Sequence, residues 1–204
     1  SPANVATGIS LTPTLQSSAF SDPDAGDTQA ASQWQVTTTS GDYSSPVFDS
    51  GTSTTNLTSI TIPSGILSYS TTYYWHVKHQ DSQGAWSSWS AETSFTTAAP
   101  PLYTAIFDIS PQITSLTIDG TIYSELPKSF TWAAGSVHSC EVPSLVTDGE
   151  GTRYVFHSWS DGSTSLKREI SQGGEYTANY TTQYYLTVAS DYGDPAGEGW
   201  YDAG

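Results

Sequence analysis

The stretch "TTYYWHVKH" (residues 71–79) constrains the fold more than any other in the chain. Tyr73, Trp75 and Val77 recur at every second residue, and a β-strand is the element that puts such positions on one face. That face must meet a core, while Tyr74, His76 and Lys78 point the other way. Similar short alternations surround it: "ISLTPTL", "SQWQVTT", "PVFDSG", "SITIPSGIL" and "TSFTT" lie between Gly, Pro, Asp and Ser clusters. Ser and Thr together number 62, Met is absent and only 12% of residues are charged, a composition that favours strands over helices. The fold class expected is all-β, as two tandem β-sandwich-like modules of about 100 residues, a common domain size.

"AAPPL" marks the boundary, because two prolines cannot extend a central strand. Residues 1–97 then form a first sandwich, 98–102 a Pro-rich linker and 103–182 a second β module. The second carries "YTAIFDI", "SLTIDGTIY", "KSFTWAAGS", "HSCEV", "RYVFHSWSDG" and "EYTANYTT" as strands and turns. Phe156 and Trp159 lie three apart, which breaks strict alternation and predicts a bulge before the Asp161-Gly162 turn. Residues 183–204 read as the beginning of a further repeat unit: "YYLTV" alternates as a strand, and a Gly-rich loop then ends in "GWYDAG" with no further strand. An edge of this kind is expected to pair with the second module or with another molecule.

Leu67 six residues before Tyr73, the inward row that follows and Trp34 in "SQWQV" together resemble a fibronectin type III domain, an immunoglobulin-like sandwich, over residues 3–97. Within it, Trp86-Ser87-Ser88-Trp89-Ser90 matches the WSXWS signature of cytokine receptors. In that family the tryptophans interleave with arginines of the neighbouring strand. Here the outward positions Tyr74, His76 and Lys78 offer no arginine, so the string is read as a local brace with Trp86 and Trp89 over cationic or amide groups. Residues 154–180 resemble the internalin-type B repeat of bacterial and archaeal surface proteins, with its F-x-x-W-x-D/G turn and a strand ending in "TANY". These resemblances imply a non-catalytic extracellular module of a cell-surface, surface-layer or filament protein, with neighbouring repeat domains or identical subunits as partners.

Twenty acidic against five basic residues give a net charge of −15, so phosphate backbones are repelled and nucleic acid is excluded as a partner. No apolar run approaches the roughly 20 residues that span a bilayer, so membrane insertion is not expected. The single cysteine, Cys140, allows no intrachain disulfide and reads as an inert buried thiol. No nucleophile elbow, zinc-binding H-E-x-x-H or phosphate loop occurs. His76 and His79 face opposite sides of one strand, His138 and His157 lack partners at ligand spacing, and Asp148/Glu150 and Asp191/Asp194 sit in turns. The chain is therefore not expected to be an enzyme.

One acidic cluster suggests a cation. "FSDPDAGDTQ" places Asp22, Asp24 and Asp27 around Pro23 and Gly26, the alternating oxygen donors that calcium requires. The run resembles the "DPDGD" loops of polycystic-kidney-disease-type and cadherin-like modules. The competing reading is an Asx turn without metal. "NLT" at Asn56 and "NYT" at Asn179 match the glycosylation acceptor pattern. Tyr43, Tyr69, Tyr74, Trp132, Trp200 and Tyr201 are candidates to stack on sugar rings. They carry the alternative function, a carbohydrate-binding accessory segment of a secreted polysaccharide-degrading enzyme.

Overall fold

The computed structural model describes residues 2–24 and 26–203, and among them every regular element is a β-strand. The chain divides into two compact units, Ser1–Pro100 and Pro101–Gly204.

The first unit runs β1 (Ala6–Ile9), β2 (Thr14–Gln16), β3 (Gln29–Thr37), β4 (Phe48–Asp49), β5 (Ser59–Thr61), β6 (Thr72–Asp81) and β7 (Thr93–Thr97). Its larger sheet has the order β1-β7-β6-β3-β4, and β2 pairs β5 in a small second sheet. Only β1 and β7 run parallel among these pairs. Leu15 and Ile60 from the small sheet, with Ile62 and Leu67, close on Trp34, Val36, Tyr73, Trp75, Val77 and Phe95 of the large one. Trp34 and Phe95 are fully buried, and such a side chain contributes about 1.5–3 kcal/mol. The Trp34 indole N–H is satisfied by the Asn56 carbonyl at 2.8 Å. The Tyr73 hydroxyl accepts the Ser68 N–H at 2.8 Å. That bond pins the turn leading into β6, as the spacing from Leu67 predicts for an immunoglobulin-like sandwich.

The second unit continues with β8 (Leu102–Ser110), β9 (Leu116–Ile118), β10 (Thr121–Tyr123), β11 (Lys128–Ala133), β12 (His138–Glu141), β13 (Leu145–Thr147), β14 (Thr152–Trp159), β15 (Lys167–Ile170), β16 (Gly174–Leu186) and β17 (Gly199–Asp202). One sheet has the order β11-β8-β16-β14-β13, with β17 paired to the end of β16, and the other is β10-β9-β12-β15. The central pair β8 and β16 is parallel. Ala105, Phe107, Ile109, Ala178 and Trp159 from the first sheet meet Leu116, Ile118, Cys140 and Ile170 from the second. A two-residue turn of Asp119 (φ 49°) and Gly120 (φ 79°) joins β9 to β10, both in the left-handed conformation that tight hairpins demand. The ladder between β14 and β16 slips between Phe156 and Ser158. This bulge turns Trp159 into the core at 1% exposure, whereas Phe156 is half-buried at its margin.

Residues 183–204 do not form a separate unit here. Residues 183–186 prolong β16 without a break, and "GWYD", expected to lie beyond the last strand, returns as β17. The continuous hydrogen-bond ladder makes both strands part of the second unit's sheet.

Candidate functional site

On the outer face of the large sheet of the first unit, the WSXWS string builds a ladder. Ser90 donates its N–H to the Val77 carbonyl at 2.8 Å, and its hydroxyl accepts the Val77 N–H at 3.2 Å. Ser87 repeats the pattern on His79 at 2.9 and 3.0 Å. The serines thus stand in for a strand along the free edge of β6, and this fixes the two tryptophans over it. The Lys78 ammonium lies 4.7 Å from the Trp86 ring and 4.7 Å from the Trp89 ring. The His76 imidazole is stacked between Trp89 at 3.8 Å and Tyr43 at 3.6 Å. The brace expected from the sequence is present, with lysine and histidine filling the rungs.

Polar groups lock its rim. Glu92 accepts the Ser40 hydroxyl, the Gly41 N–H and the Tyr43 hydroxyl at 2.7, 2.9 and 2.9 Å. These bonds hold its carboxyl below the usual range even though desolvation works against them. Burial is the main cause that raises the Tyr43 phenol and lowers His76, whose Nε2 meets Gln35 Oε1 at 2.9 Å. His79, on the opposite side of β6, contacts Gln29 Nε2 at 2.7 Å and Ser32 Oγ at 2.8 Å through Nδ1. The two histidines diverge, so they make no metal pair.

The acidic loop does converge. One carboxylate oxygen from each of Asp22, Asp24 and Asp27 lies within 4.8 Å of the others. An Asx turn is also present, for Asp22 Oδ1 accepts the Asp24 N–H at 2.9 Å. Asp27 Oδ1 accepts the Ser82 hydroxyl at 3.1 Å, tying the loop to the end of β6. A cleft of about 320 Å³ opens beside it, lined by Phe20, Asp22, Asp24, His79, Asp81 and Trp86 among others. The turn of the one reading is present, and the carboxylates on which the other rests lie close together.

The remaining candidates are mostly committed to structure. Cys140 is fully buried, and burial pushes its thiol up to about 12, so it is inert. His138 stacks on Trp132 at 3.8 Å and binds Asp119 Oδ2 through Nδ1 at 2.6 Å. Trp132 is thereby half-buried among Phe107, Phe130 and Tyr103 and is not a free platform for a sugar. Tyr43 is likewise consumed by the ladder, and Tyr74 is half-buried. Asp148 accepts the Glu150 and Thr152 N–H groups at 2.9 and 3.1 Å, the behaviour of a turn residue. Asn179 lies inside β16, flanked by Ser110 and Ser158, and Asn56 is half-buried beside the Trp34 indole.

Tyr69 and Tyr201 are exposed, and Trp200 stands at a cleft in the second unit. Tyr185 is the residue that sequence reading missed there. It is paired directly with Trp200 across β16 and β17, with ring centroids 5.2 Å apart at 67°. Only the antiparallel register of the hairpin reveals that pairing.

Residues 7–100 match the family model of the N-terminal immunoglobulin domain of Rha78A-like proteins. No curated protein matches the chain. Among solved structures, an α-L-rhamnosidase from Dictyoglumus thermophilum is 14% identical, with a TM-score of 0.40, over 89% of this chain and 28% of that one. The α-L-rhamnosidase of Streptomyces avermitilis, complexed with L-rhamnose, is 17% identical, with a TM-score of 0.39, over 98% of this chain and 23% of that one. The chain thus spans about a quarter of the length of these enzymes. The family match and the sandwich of β1 to β7 agree that the first unit is an immunoglobulin-like domain.

Proposed function

We propose that this chain is a non-catalytic accessory segment of a secreted polysaccharide-degrading enzyme. The match of residues 7–100 to an N-terminal domain of Rha78A-like proteins carries this reading. It favours the accessory role over a surface-layer or filament module, because the internalin-type resemblance of residues 154–180 gains nothing from the comparisons. The chemistry of the described residues is in keeping with it. The histidines and carboxylates detailed above serve stacks, turns and backbone bonds, and Cys140 is buried as a thiol. A strongly acidic surface suits solubility outside the cell and gives no grip on nucleic acid. No helix among the described residues is long and apolar enough to cross a membrane.

The test is to recover the full polypeptide that contains this sequence with an antibody raised against residues 1–204, and to assay it on aryl α-L-rhamnosides and on rhamnose-containing polysaccharide. Hydrolysis by the recovered protein supports the reading. Deleting residues 1–204 should raise KM on the polymer and leave kcat on the aryl glycoside unchanged. A recovered polypeptide made only of further β repeats, without glycosidase activity, overturns it in favour of a surface array.

A further inference from the structure

The hairpin of β16 and β17 points to a ligand site in the second unit. Along β16 the even-numbered residues face the core: Ala178 is fully buried and Tyr180 is 8% exposed. The odd-numbered residues, Tyr185 among them, therefore lie on the outer face of the sheet. There Tyr185 and its cross-strand partner Trp200 form a corner of two aromatic rings. The chain between β13 and β14 lies beside it, and together they border an open cleft of about 430 Å³ lined by Thr147, Gly149, Gly151, Thr152, Tyr185 and Trp200. Small-molecule sites are typically concave, mostly apolar and roughly 300–1,000 Å³ in volume, with a few polar groups to orient the ligand.

The corner is held rigid from behind. The Arg153 guanidinium lies 4.4 Å from the Trp200 ring and is fixed by Gln183 Oε1, which accepts its Nε–H at 2.6 Å. Trp200 lines the cleft and Arg153 does not. The Tyr185 hydroxyl donates to Glu198 Oε1 at 2.9 Å, and the Tyr185 N–H donates to the Gly151 carbonyl at 2.8 Å. Hairpin and loop are thereby tied together before any ligand arrives, which reduces the ordering cost of binding. Gly149 (φ 80°) and Gly151 (φ 87°) hold left-handed conformations, and a Cβ at either would meet nothing within 4 Å. The loop thus leaves backbone and open space, rather than side chains, beside the rings.

The wall holds no charged side chain, only two aromatic rings, two threonines and two glycines. An anionic ligand finds no cationic side chain in the wall itself, with Arg153 reaching only the Trp200 ring, and meets a protein of net charge −15. A metal ion finds no carboxylate in the wall, and Glu198 is bonded to the Tyr185 hydroxyl. A flat ligand with one apolar face and a few hydroxyls fits: its C–H face lies on the indole, and its hydroxyls reach the threonines and the backbone of the glycine loop. We infer that this cleft binds a neutral pyranose sugar, with Trp200 as the stacking platform and Tyr185 as the second wall. The inference deepens the accessory reading and rests on it for the choice of a glycan over another neutral ligand.

The whole 204-residue chain is titrated with L-rhamnose, methyl α-D-glucopyranoside and D-galacturonate, with saturation-transfer NMR and calorimetry as readouts. A neutral sugar should bind, and galacturonate should bind at least tenfold more weakly. Trp200→Ala should weaken the neutral sugar at least tenfold. Because that change could loosen β17, Thr147→Trp is the second variant. It fills the cleft from the opposite wall, leaves both rings in place, and should abolish binding with an unchanged melting temperature. Neutral-sugar binding that survives both variants overturns this site while leaving the accessory reading intact, since the glycan then binds elsewhere. Preference for galacturonate, or no binding of either neutral sugar, overturns the site too, and the enzymatic assay of the full polypeptide judges the accessory reading independently. Binding only of a protein that buries the same corner identifies it as a docking face and likewise overturns the sugar site.

Discussion

The imidazole of His76 lies flat against the indole of Trp89, 3.8 Å between centroids and 11° between planes. A neutral ring is what this sandwich accommodates, since burial lowers the histidine below its ordinary range although Glu92 and Asp49 pull it upward. His79 is lowered by burial as well. A base whose folded pKa lies below its unfolded value, about 6.5, binds more protons when unfolded, so stability rises with pH through that window. The contribution is fully present above the unfolded value and is lost as pH falls toward the folded one. The melting temperature of the first unit should therefore hold between pH 8 and 7 and decline toward pH 5. His76→Phe keeps the stack without the proton and should flatten part of that decline. A variant that follows the wild-type curve point for point would falsify the assignment to His76.

The serines of the string differ in what they support. Ser90→Ala leaves the Val77 N–H without the acceptor that now lies 3.2 Å away. We expect a loss of about 1 kcal/mol, the usual cost of a buried backbone donor losing its partner. Ser88 contributes no side-chain bond to β6, and Ser88→Ala should stay within about 0.5 kcal/mol. Urea denaturation followed by tryptophan fluorescence measures both. Equal losses at the two positions would show that the string braces β6 by packing alone.

In the second unit Arg168 reaches Asp161 Oδ1 and Oδ2 through its two terminal nitrogens, at 2.9 and 2.5 Å, and lies over Trp159 and Tyr176 at 5.4 and 5.3 Å. The fork holds Asp161 down to about 2, its largest cause being the bond to Arg168. Arg168→Lys keeps the charge and loses the planar fork. Melting should fall by several degrees, as for a loss of about 1 kcal/mol in a domain of this size. The part of the stability that comes from Asp161 is present above about pH 4 and fades as pH falls toward 2. A lysine variant with the wild-type melting temperature would show that the charge alone suffices.

The sequence made local features readable and long-range pairings opaque. The inward row of Tyr73, Trp75 and Val77, the bulge between Phe156 and Trp159 and the turn at Asp161-Gly162 depend on neighbours a few residues apart. The Tyr43 to His76 stack instead joins a loop to β6 across the sheet, and β8 pairs with β16 in parallel from opposite ends of the unit. Neither leaves a periodic trace. The Tyr185 and Trp200 corner was hidden for a related reason: its strands are joined by a long Gly-rich loop without a turn signature to set their register. Trp132 misled in the other direction: it shares one face of β11 with Phe130, and the cover that half-buries it, Tyr103 and His138, comes from other strands.

The Asp22, Asp24 and Asp27 loop gives the last expectation. Three carboxylates with oxygens within 4.8 Å repel one another in the absence of a cation, and Ca²⁺ relieves that repulsion while fixing the approach to β3. A ligand that binds only the folded state stabilises it by RT ln(1 + [L]/Kd), so 1 mM calcium at an extracellular-type Kd of about 0.1 mM adds about 1.4 kcal/mol. The melting temperature of the first unit should therefore rise by several degrees between chelator and millimolar calcium. Asp24→Ala should melt higher than wild type in chelator, because one repelling charge is gone, and should respond little to calcium. Asp22→Asn separates the two readings of the loop. Its amide oxygen can still accept the Asp24 N–H now held at 2.9 Å, so the Asx turn survives while the cation loses a charged ligand. Wild type and both variants melting alike in chelator and in 10 mM calcium would leave the loop as a turn with no metal.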